Sequence, residues 1–184
     1  MGLSYREDIK LPFELCDVKS DIKFPLLLDY CLTVSGRQSA ALGRSNDYLL
    51  EEYGLVWIVT DYEVTIHRLP RFKETITIET QAMSYNKLFC YRQFYIYDQE
   101  GQLLVDILAC FALLHPDTRK VASIPEDLVA PFETDFVKKL RRAPKMHLLE
   151  ESIDRDYHVR YFDIDMNGHL SLIHISEPTR PLYI

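Results

Sequence analysis

The sequence lacks a long apolar run, a close cysteine pair and an excess of basic residues. No apolar stretch approaches the roughly 18 residues of a membrane-spanning helix, and the N-terminal MGLSYREDIK has no apolar signal-peptide region. The cysteines have neither C-x-x-C nor zinc-site spacing, which favours reduced thiols over a disulfide framework. They are Cys16, Cys31, Cys90 and Cys110. These absences predict a cytoplasmic protein without a membrane span.

The charge balance argues against nucleic acid as the main partner. The net charge is −7, whereas phosphate binding needs clustered Lys and Arg on a broadly basic surface. The composition, 47% hydrophobic and 27% charged, is that of an ordinary globular protein. A length of 184 residues suits one domain, or one domain and part of another.

The first part of the chain predicts a strand and two helices. Alternating apolar residues from Ile9 to Leu15 predict a strand, and Pro12 makes it an edge strand because proline cannot donate to a ladder. Apolar residues at helical spacing predict a long helix from Pro25 to about Gly43, apolar round much of its girth. A second helix, NDYLLEEYG, opens with Asn46 as its N-cap and ends at Gly54.

A run of strands follows the helices. In LVWIVTDYEVTIHRL the even-numbered positions from Val56 to Ile66 are mostly apolar, which predicts that this face is buried. Ile76 and Ile78 repeat the pattern, and FCYRQFYIY stacks aromatic residues on its odd-numbered face. The turn DQEG joins that strand to LLVDILACFALLH, whose continuous apolar run suits the sheet centre. The order predicts an α+β domain of about 130 residues, a curved antiparallel sheet wrapped round one helix.

The stretch YFDIDMNGHLS, Tyr161 to Ser171, begins like a calcium-binding loop. An EF-hand loop that starts at Asp163 needs a bidentate Glu at its twelfth position, which is His174 here. The preceding DYHVRYF, 156–162, also alternates like a strand where an EF-hand has a helix. Calcium binding is therefore disfavoured.

The same stretch can also be interpreted as an active site. If the chain stays extended, the side chains of Asp165, Asn167 and His169 point to one side, together with that of Asp163. An imidazole can take a proton from water, a carboxylate can orient the ring, and an amide can donate to an oxyanion, so this set suits hydrolysis. An Asx-type turn with Gly168 at positive φ explains the same residues by backbone preference alone. The residues themselves leave both interpretations open.

Three blocks of the sequence resemble the acyl-ACP thioesterases of bacteria and plants. They are EYGLVWIVTDYEVTIHRLPRFKETITIET at 52–80, YDQEGQLLVDILACFALLHPDTRKVASIPEDL at 97–128 and HVRYFDIDMNGH at 158–169, in the family's order. The resemblance implies two tandem hot-dog domains, each a sheet wrapped round a long helix. It also implies hydrolysis of the thioester between a fatty acyl chain and acyl carrier protein in fatty acid biosynthesis. It gives the catalytic roles to Asp165, Asn167 and His169, with no cofactor and no metal.

The resemblance also predicts the domain organisation. Residues 1–132 form the N-terminal hot-dog domain, 133–152 a linker, and 153–184 the start of a second hot-dog domain. A second core needs on the order of 100 residues, and only about 30 remain for it. The segment SLIHISEPTRP resembles read-through of a sequencing adapter, so residues 171–184 are expected to be foreign. We therefore expect little or no thioesterase activity from the chain as given.

Acyl carrier protein is the partner that the resemblance implies. This carrier is acidic, so a basic surface would attract it. The densest basic group in the sequence is Lys138, Lys139, Arg141, Arg142 and Lys145. A charged stretch in a linker is, however, more often simply solvated.

The resemblance makes the N-terminal domain the half that houses the acyl chain. The apolar faces around Trp57 and the helix 25–43 are then candidates for a tunnel wall, whereas the plainer interpretation makes Trp57 a core residue. Two alternative functions remain beside the acyl-ACP thioesterase. One is a hot-dog enzyme that acts on acyl-CoA, and the other is a non-catalytic acyl-binding hot-dog module.

Overall fold

The computed structural model describes residues 2–138, 141, 156–164 and 170. In these residues the helices and strands are β1 (Ser4–Lys10), α1 (Phe24–Ala41), α2 (Asn46–Tyr53), β2 (Val56–Ile66), β3 (Thr75–Tyr85), β4 (Phe89–Tyr97), β5 (Leu103–Leu114), β6 (Val121–Ala122), α3 (Glu126–Val129) and β7 (Asp135–Phe136). Short 3-10 turns lie at Phe13–Leu15, Ala130–Phe132 and Tyr161–Asp163.

The strands form one sheet in the order β1-β3-β4-β5-β2. β6 adds to β5, and β7 adds to β3 in parallel. β3, β4 and β5 form a meander as predicted, but β2 pairs with β5 and not with β3. The prediction of one continuous meander is therefore wrong. In this order β2 lies three strand spacings from β3, a distance of roughly 15 Å. The connection 67–74 between the two strands can span it, because it can extend over up to about 26 Å.

The first strand lies at the edge of the sheet as predicted, but it does not have the bounds predicted from Ile9 to Leu15. β1 ends at Lys10 and pairs only with β3 among the described strands. Leu11 is buried and its N–H donates to the carbonyl of Glu74, after which Pro12 offers no donor and a 3-10 turn follows. Phe13, predicted on the apolar face, is 78% exposed.

The long helix α1 matches the prediction over 25–43 within two residues. Its first turn tolerates Pro25 because the N–H that proline lacks would have no partner there. Burial follows one stripe that includes Leu27, Cys31 and Val34, while Thr33 is exposed, so the predicted apolar girth is wrong. The stripe suffices because α1 packs against a sheet on one side only. Among the described residues no helix is long and apolar enough to cross a membrane.

The second helix, α2, begins one residue later than its predicted cap. Ser45 is the N-cap, since its backbone is extended and its Oγ accepts a hydrogen bond from the N–H of Tyr48 at 3.1 Å. Asn46 is the first helical residue instead. Gly54 ends the helix at φ 63°, a left-handed conformation that favours glycine.

A β-bulge at Thr60 switches the buried face of β2. Val59 pairs with Phe111, and Asp61 pairs with Cys110, so one residue of β2 has no counterpart on β5. Before the bulge, Trp57 and Val59 face the interior, and after it the even-numbered residues of β2 do. Tyr62 and Val64 pack against the main core, whereas Ile66 at the end of the strand is exposed. The prediction of one even-numbered buried face therefore holds only for Tyr62 and Val64.

The centre of the sheet agrees with the sequence prediction. Ile76 and Ile78 of β3 are fully buried, as predicted. β5 lies between β4 and β2, an interior position that its continuous apolar sequence predicts. In the turn before it, the carboxylate of Asp98 accepts hydrogen bonds from two backbone N–H groups, and Gly101 has φ 81°.

The N-terminal residues close one side of the sheet interior. The N–H of Leu3 donates to the carbonyl of Phe132, and the side-chain amide of Gln38 donates to the carbonyl of Leu3, both at 2.9 Å. A Cβ on Gly2 would lie 2.2 Å from the carbonyl oxygen of Ala82. This close approach requires glycine.

Candidate functional site

A cavity of about 240 Å³ lies between α1 and the sheet. Its apolar wall is formed by Leu32, Trp57, Val59, Phe111, Val129 and Phe132. Gly36 of α1 also lines it, and apart from its chain neighbours and the helix's own backbone no atom of the described residues lies within 4 Å of the place where a Cβ would stand. The absence of a side chain at Gly36 therefore leaves the cavity open towards the helix.

Trp57 lines the cavity. The sequence left two places open for Trp57, a tunnel wall or the core. The bulge at Thr60 turns it inward, and its ring meets that of Phe111 edge to face, with centroids 6.3 Å apart. It also packs against a small core cluster around Leu49 and Leu113. Trp57 thus serves both as a wall of the cavity and as a contact of the core.

Arg92 carries a charge into the interior of the sheet. Its Nη1 donates to Oε1 of Gln38 at 2.5 Å and to Oγ1 of Thr80 at 2.9 Å, and its guanidinium lies 5.3 Å from the ring centroid of Phe132. Burial lowers the pKa of Arg92 to about 10, so it stays protonated at neutral pH. Arg92 lines the cavity beside the apolar wall.

The sequence contains one signal that Arg92 points inward, and the predictions from the sequence did not use it. In FCYRQFYIY the aromatic odd-numbered face drew attention, but Phe94 and Ile96 on the even-numbered face are the fully buried residues. Arg92 shares their phase, which places it inside. Its partners Gln38 and Thr80 are distant in sequence, so no local pattern reveals them.

Cys90 lines the cavity near Arg92, where its surroundings disfavour the thiolate. Burial raises the pKa of its thiol to about 12, and the thiolate, which is the reactive form, is therefore scarce at neutral pH. All four cysteines are free, and burial also raises the thiol pKa of Cys31 and Cys110. The interpretation of the cysteines as unpaired thiols agrees with this arrangement.

The segment before DIDMNGH differs from its prediction. Residues 156–160 form no strand, and Tyr161–Asp163 is a 3-10 turn. The buried carboxylate of Asp163 accepts hydrogen bonds from the hydroxyl of Tyr157 and the N–H of Arg160, both at 2.8 Å. These contacts hold Asp163 in the turn, so the predicted strand DYHVRYF is wrong.

The ends of the predicted catalytic stretch lie side by side. Ile164 and Leu170 form an antiparallel bridge. The predicted extended segment from Asp163 through His169 falls mostly outside the described residues and stays a prediction. Asp165, Asn167 and His169 lie outside the described residues, and their catalytic roles stay a prediction.

The predicted basic group is only partly described. Arg141 lies on the outer face of the sheet, where its Nη2 is 2.5 Å from Oε2 of Glu63 and its backbone N–H and carbonyl contact the hydroxyl of Tyr91. Lys138 is exposed. The remaining members lie outside the described residues: Lys139, Arg142 and Lys145. Because Arg141 pairs with Glu63, the carboxylate of Glu63 offsets the positive charge of Arg141.

A family model for the acyl-ACP thioesterase N-terminal domain matches residues 2–132. The chain belongs to the acyl-ACP thioesterase family. A model for the C-terminal domain of the same family matches residues 146–172. The resemblance inferred from the three sequence blocks is confirmed, while the predicted division into 1–132, 133–152 and 153–184 stays a prediction.

Plant members of the acyl-ACP thioesterase family are similar to this chain at low identity. FATB3, a chloroplastic acyl-[acyl-carrier-protein] hydrolase of Cuphea viscosissima, is 23% identical over 183 residues, which cover 92% of this chain and 44% of FATB3. The chloroplastic oleoyl-acyl carrier protein thioesterase of Coriandrum sativum is 20% identical over 188 residues, covering 92% of this chain and 51% of that protein. The chain thus spans about half or less of the length of these relatives.

Solved structures of thioesterases share the fold. A protein of Lactobacillus plantarum named as an oleoyl thioesterase superposes with a TM-score of 0.87 at 33% identity, covering 95% of this chain and 69% of that one. The 12:0-ACP thioesterase of Umbellularia californica superposes with a TM-score of 0.77 at 17% identity, covering 96% and 74%. The predicted α+β hot-dog fold, an antiparallel sheet wrapped round a long helix, is confirmed.

Proposed function

We propose that the protein hydrolyses the thioester between a fatty acyl chain and acyl carrier protein, releasing free fatty acid. The observation that carries this proposal is the apolar cavity under α1 in a member of the acyl-ACP thioesterase family. Each methylene that enters an apolar cavity contributes about 0.8 kcal/mol. A wall that includes Trp57, Val59 and Phe111 can therefore hold a hydrocarbon chain without polar contacts.

In the proposed reaction, the chemistry falls to Asp165, Asn167 and His169. His169 takes a proton from the attacking group and returns one to the leaving thiol of the carrier. The carboxylate of Asp165 orients and stabilises the imidazolium, and the amide of Asn167 donates to the oxygen that becomes negative at the thioester carbon. Support for these roles is the family's D-x-N-x-H pattern at 165–169.

The test is release of fatty acid from acyl-ACP and from acyl-CoA at matched concentrations by a protein that carries this sequence with a complete second hot-dog domain, because little or no activity is expected from the chain as given. We expect faster release from acyl-ACP and a loss of at least about 100-fold in His169→Ala, the scale of a general base. His115→Ala is the matched control, because His115 is exposed in a turn of the N-terminal domain. Equal rates for His169→Ala and the unchanged protein would contradict the proposal.

The same assay separates the alternative functions. Faster turnover of acyl-CoA would identify an acyl-CoA thioesterase. Saturable binding of acyl chains without turnover of either thioester would identify a binding module. We further propose that the activity serves fatty acid biosynthesis in the cytoplasm, and cell fractionation with an antibody to the chain tests the location.

A further inference from the structure

The cavity carries a positive charge that no carboxylate in the described part of the chain neutralises. Arg92 lines the cavity, and none of the ion pairs of the described residues includes it. Only Nη1 is used, for Gln38 and Thr80. Nε and Nη2 form no hydrogen bond with the described residues, and each keeps some accessible surface. Both are therefore available to a guest in the cavity.

A second polar group on the same wall also lacks a partner. Thr134 lines the cavity, as Phe132 does. Its Oγ1 is buried and has no hydrogen-bond partner among residues 2–138, 141, 156–164 and 170. Ala82 pairs with Arg92, and Ser84 pairs with Asp135, the residue after Thr134. Arg92 and Thr134 therefore flank the same short stretch of β3.

A plain hydrocarbon chain would leave Nε and Nη2 of Arg92 and the hydroxyl of Thr134 without partners. Burying a hydroxyl or a charge away from water is unfavourable unless hydrogen bonds compensate it. Nε and Nη2 form a planar fork that matches a carboxylate, and they also donate to a hydroxyl oxygen. The hydroxyl of Thr134 can donate to either group and accept from a hydroxyl.

We infer that the cavity takes acyl chains that carry an oxygen substituent, a hydroxyl or a carboxylate, at a carbon away from the thioester. Arg92 and Thr134 bind that oxygen, while the wall around Trp57 and Phe111 holds the methylenes. This inference rests on the proposed function, which puts an acyl chain in the cavity. It adds a class of substrate, oxygenated acyl chains.

The test compares methyl esters, because a neutral ester head cannot itself bind the arginine as a carboxylate would. The probes are the methyl esters of octanoate, decanoate and dodecanoate, each plain, with a terminal hydroxyl, and with a terminal carboxylate. Quenching of the fluorescence of Trp57, which is the only Trp in the sequence and stands on the cavity wall, measures binding. At the chain length that fits, we expect an oxygenated ester to bind at least about tenfold more tightly than the plain ester, as a charge-assisted hydrogen bond provides.

Three variants assign the preference to its residues. Arg92→Met lowers the ratio of the two affinities to about one, and Thr134→Val, which keeps the guanidinium, lowers it several-fold. Ser39→Ala is the control, because Ser39 also lines the cavity but its hydroxyl already donates to the carbonyl of Ser35. Circular dichroism checks folding, and Thr134→Val still decides the matter if Arg92→Met does not fold.

The outcomes separate this inference from the proposed function. Equal affinity for plain and oxygenated esters, or an unchanged preference in both variants, would overturn the inference while leaving acyl binding intact. Failure of every ester to bind would overturn the inference and the acyl cavity of the proposed function together. A preference for the carboxylate over the hydroxyl identifies ion pairing as its main source.

Discussion

At the scale of single residues, Gly36 determines how much room α1 leaves above the sheet. Most positions on the inner stripe of α1 carry a side chain that fills the interior, whereas Gly36 faces open space. A glycine inside a helix is unfavourable by about 1 kcal/mol relative to alanine. Gly36 therefore lowers the stability of α1 at a position where the missing side chain enlarges the cavity.

Substitution of Gly36 separates these two effects. We expect Gly36→Ala to raise the free energy of unfolding by about 0.5–1 kcal/mol, a rise in Tm of roughly 2–4 °C at most. Gly36→Leu is expected to weaken binding of a plain acyl methyl ester at least about tenfold, because its side chain occupies the cavity. Thermal unfolding and Trp57 fluorescence measure the two quantities.

Gly54→Ala is the control for Gly36→Ala. Gly54 ends α2 at φ 63°, so a Cβ there is strained by about 1 kcal/mol and the variant should lose stability. A gain in stability at Gly54, or tight ester binding by Gly36→Leu, would contradict this account of the two glycines.

At the scale of elements, the bulge in β2 decides which side chains form the cavity. Without the extra residue at Thr60, the register of β2 with β5 would place Trp57 and Val59 on the outer face. Deletion of Thr60 should therefore lower the free energy of unfolding by several kcal/mol and shift the emission of Trp57 to the red. Thr60→Ala, which keeps the residue count, should cost less than about 1 kcal/mol. An unchanged emission maximum after the deletion would show that the bulge does not set the orientation of Trp57.

The cap of α2 gives a second test at this scale. Because Ser45 accepts the hydrogen bond from Tyr48, we expect Ser45→Ala to destabilise the fold by about 1 kcal/mol. Asn46→Ala, at the first helical position, should change stability by less than about 0.5 kcal/mol. Urea unfolding of both variants measures the difference, and the reverse order of effects would return the cap to Asn46.

The sequence predicts those elements whose signals are local. The period-two pattern around Ile76 and Ile78, the helical spacing of α1 and the Asp98 turn each lie within one element, and each is found in the structure. The bulge at Thr60 carries no such signal, because threonine is an ordinary strand residue. The pairing of β2 with β5 and the contacts of Arg92 depend on residues far apart in the chain.

The candidate site was predicted less completely than the fold. Trp57 and α1 were expected on a tunnel wall from the resemblance, and both line the cavity. The strand expected over 156–162 was wrong, since hydrogen bonds from Tyr157 and Arg160 hold the carboxylate of Asp163 in a 3-10 turn. Period-two reasoning places side chains only where the backbone stays extended.

At the scale of the whole molecule, the basic group expected to attract a carrier protein is partly offset within the chain. Arg141 is paired with Glu63, and Lys138 is the other exposed, described member of the basic group. If this surface attracts acidic acyl carrier protein, Lys138→Glu should slow association about two- to fivefold at low salt and much less at high salt. Stopped-flow binding measures the rate, with Lys10→Glu on β1 as the control. Equal effects of the two reversals would argue against docking at this surface.

The order of strands in the sheet also governs how the chain folds as it is made. β1 pairs with β3, and β2 pairs with β5, so neither strand has its partner until a later strand has been synthesised. At 5–20 residues per second, the ribosome needs roughly 2 to 10 s between the end of β2 and the end of β5. During that interval α1 exposes its apolar stripe with no completed sheet to cover it. Newly made chains should therefore depend on chaperones that bind apolar segments, and slower synthesis of β3 to β5 should lower the yield of folded protein.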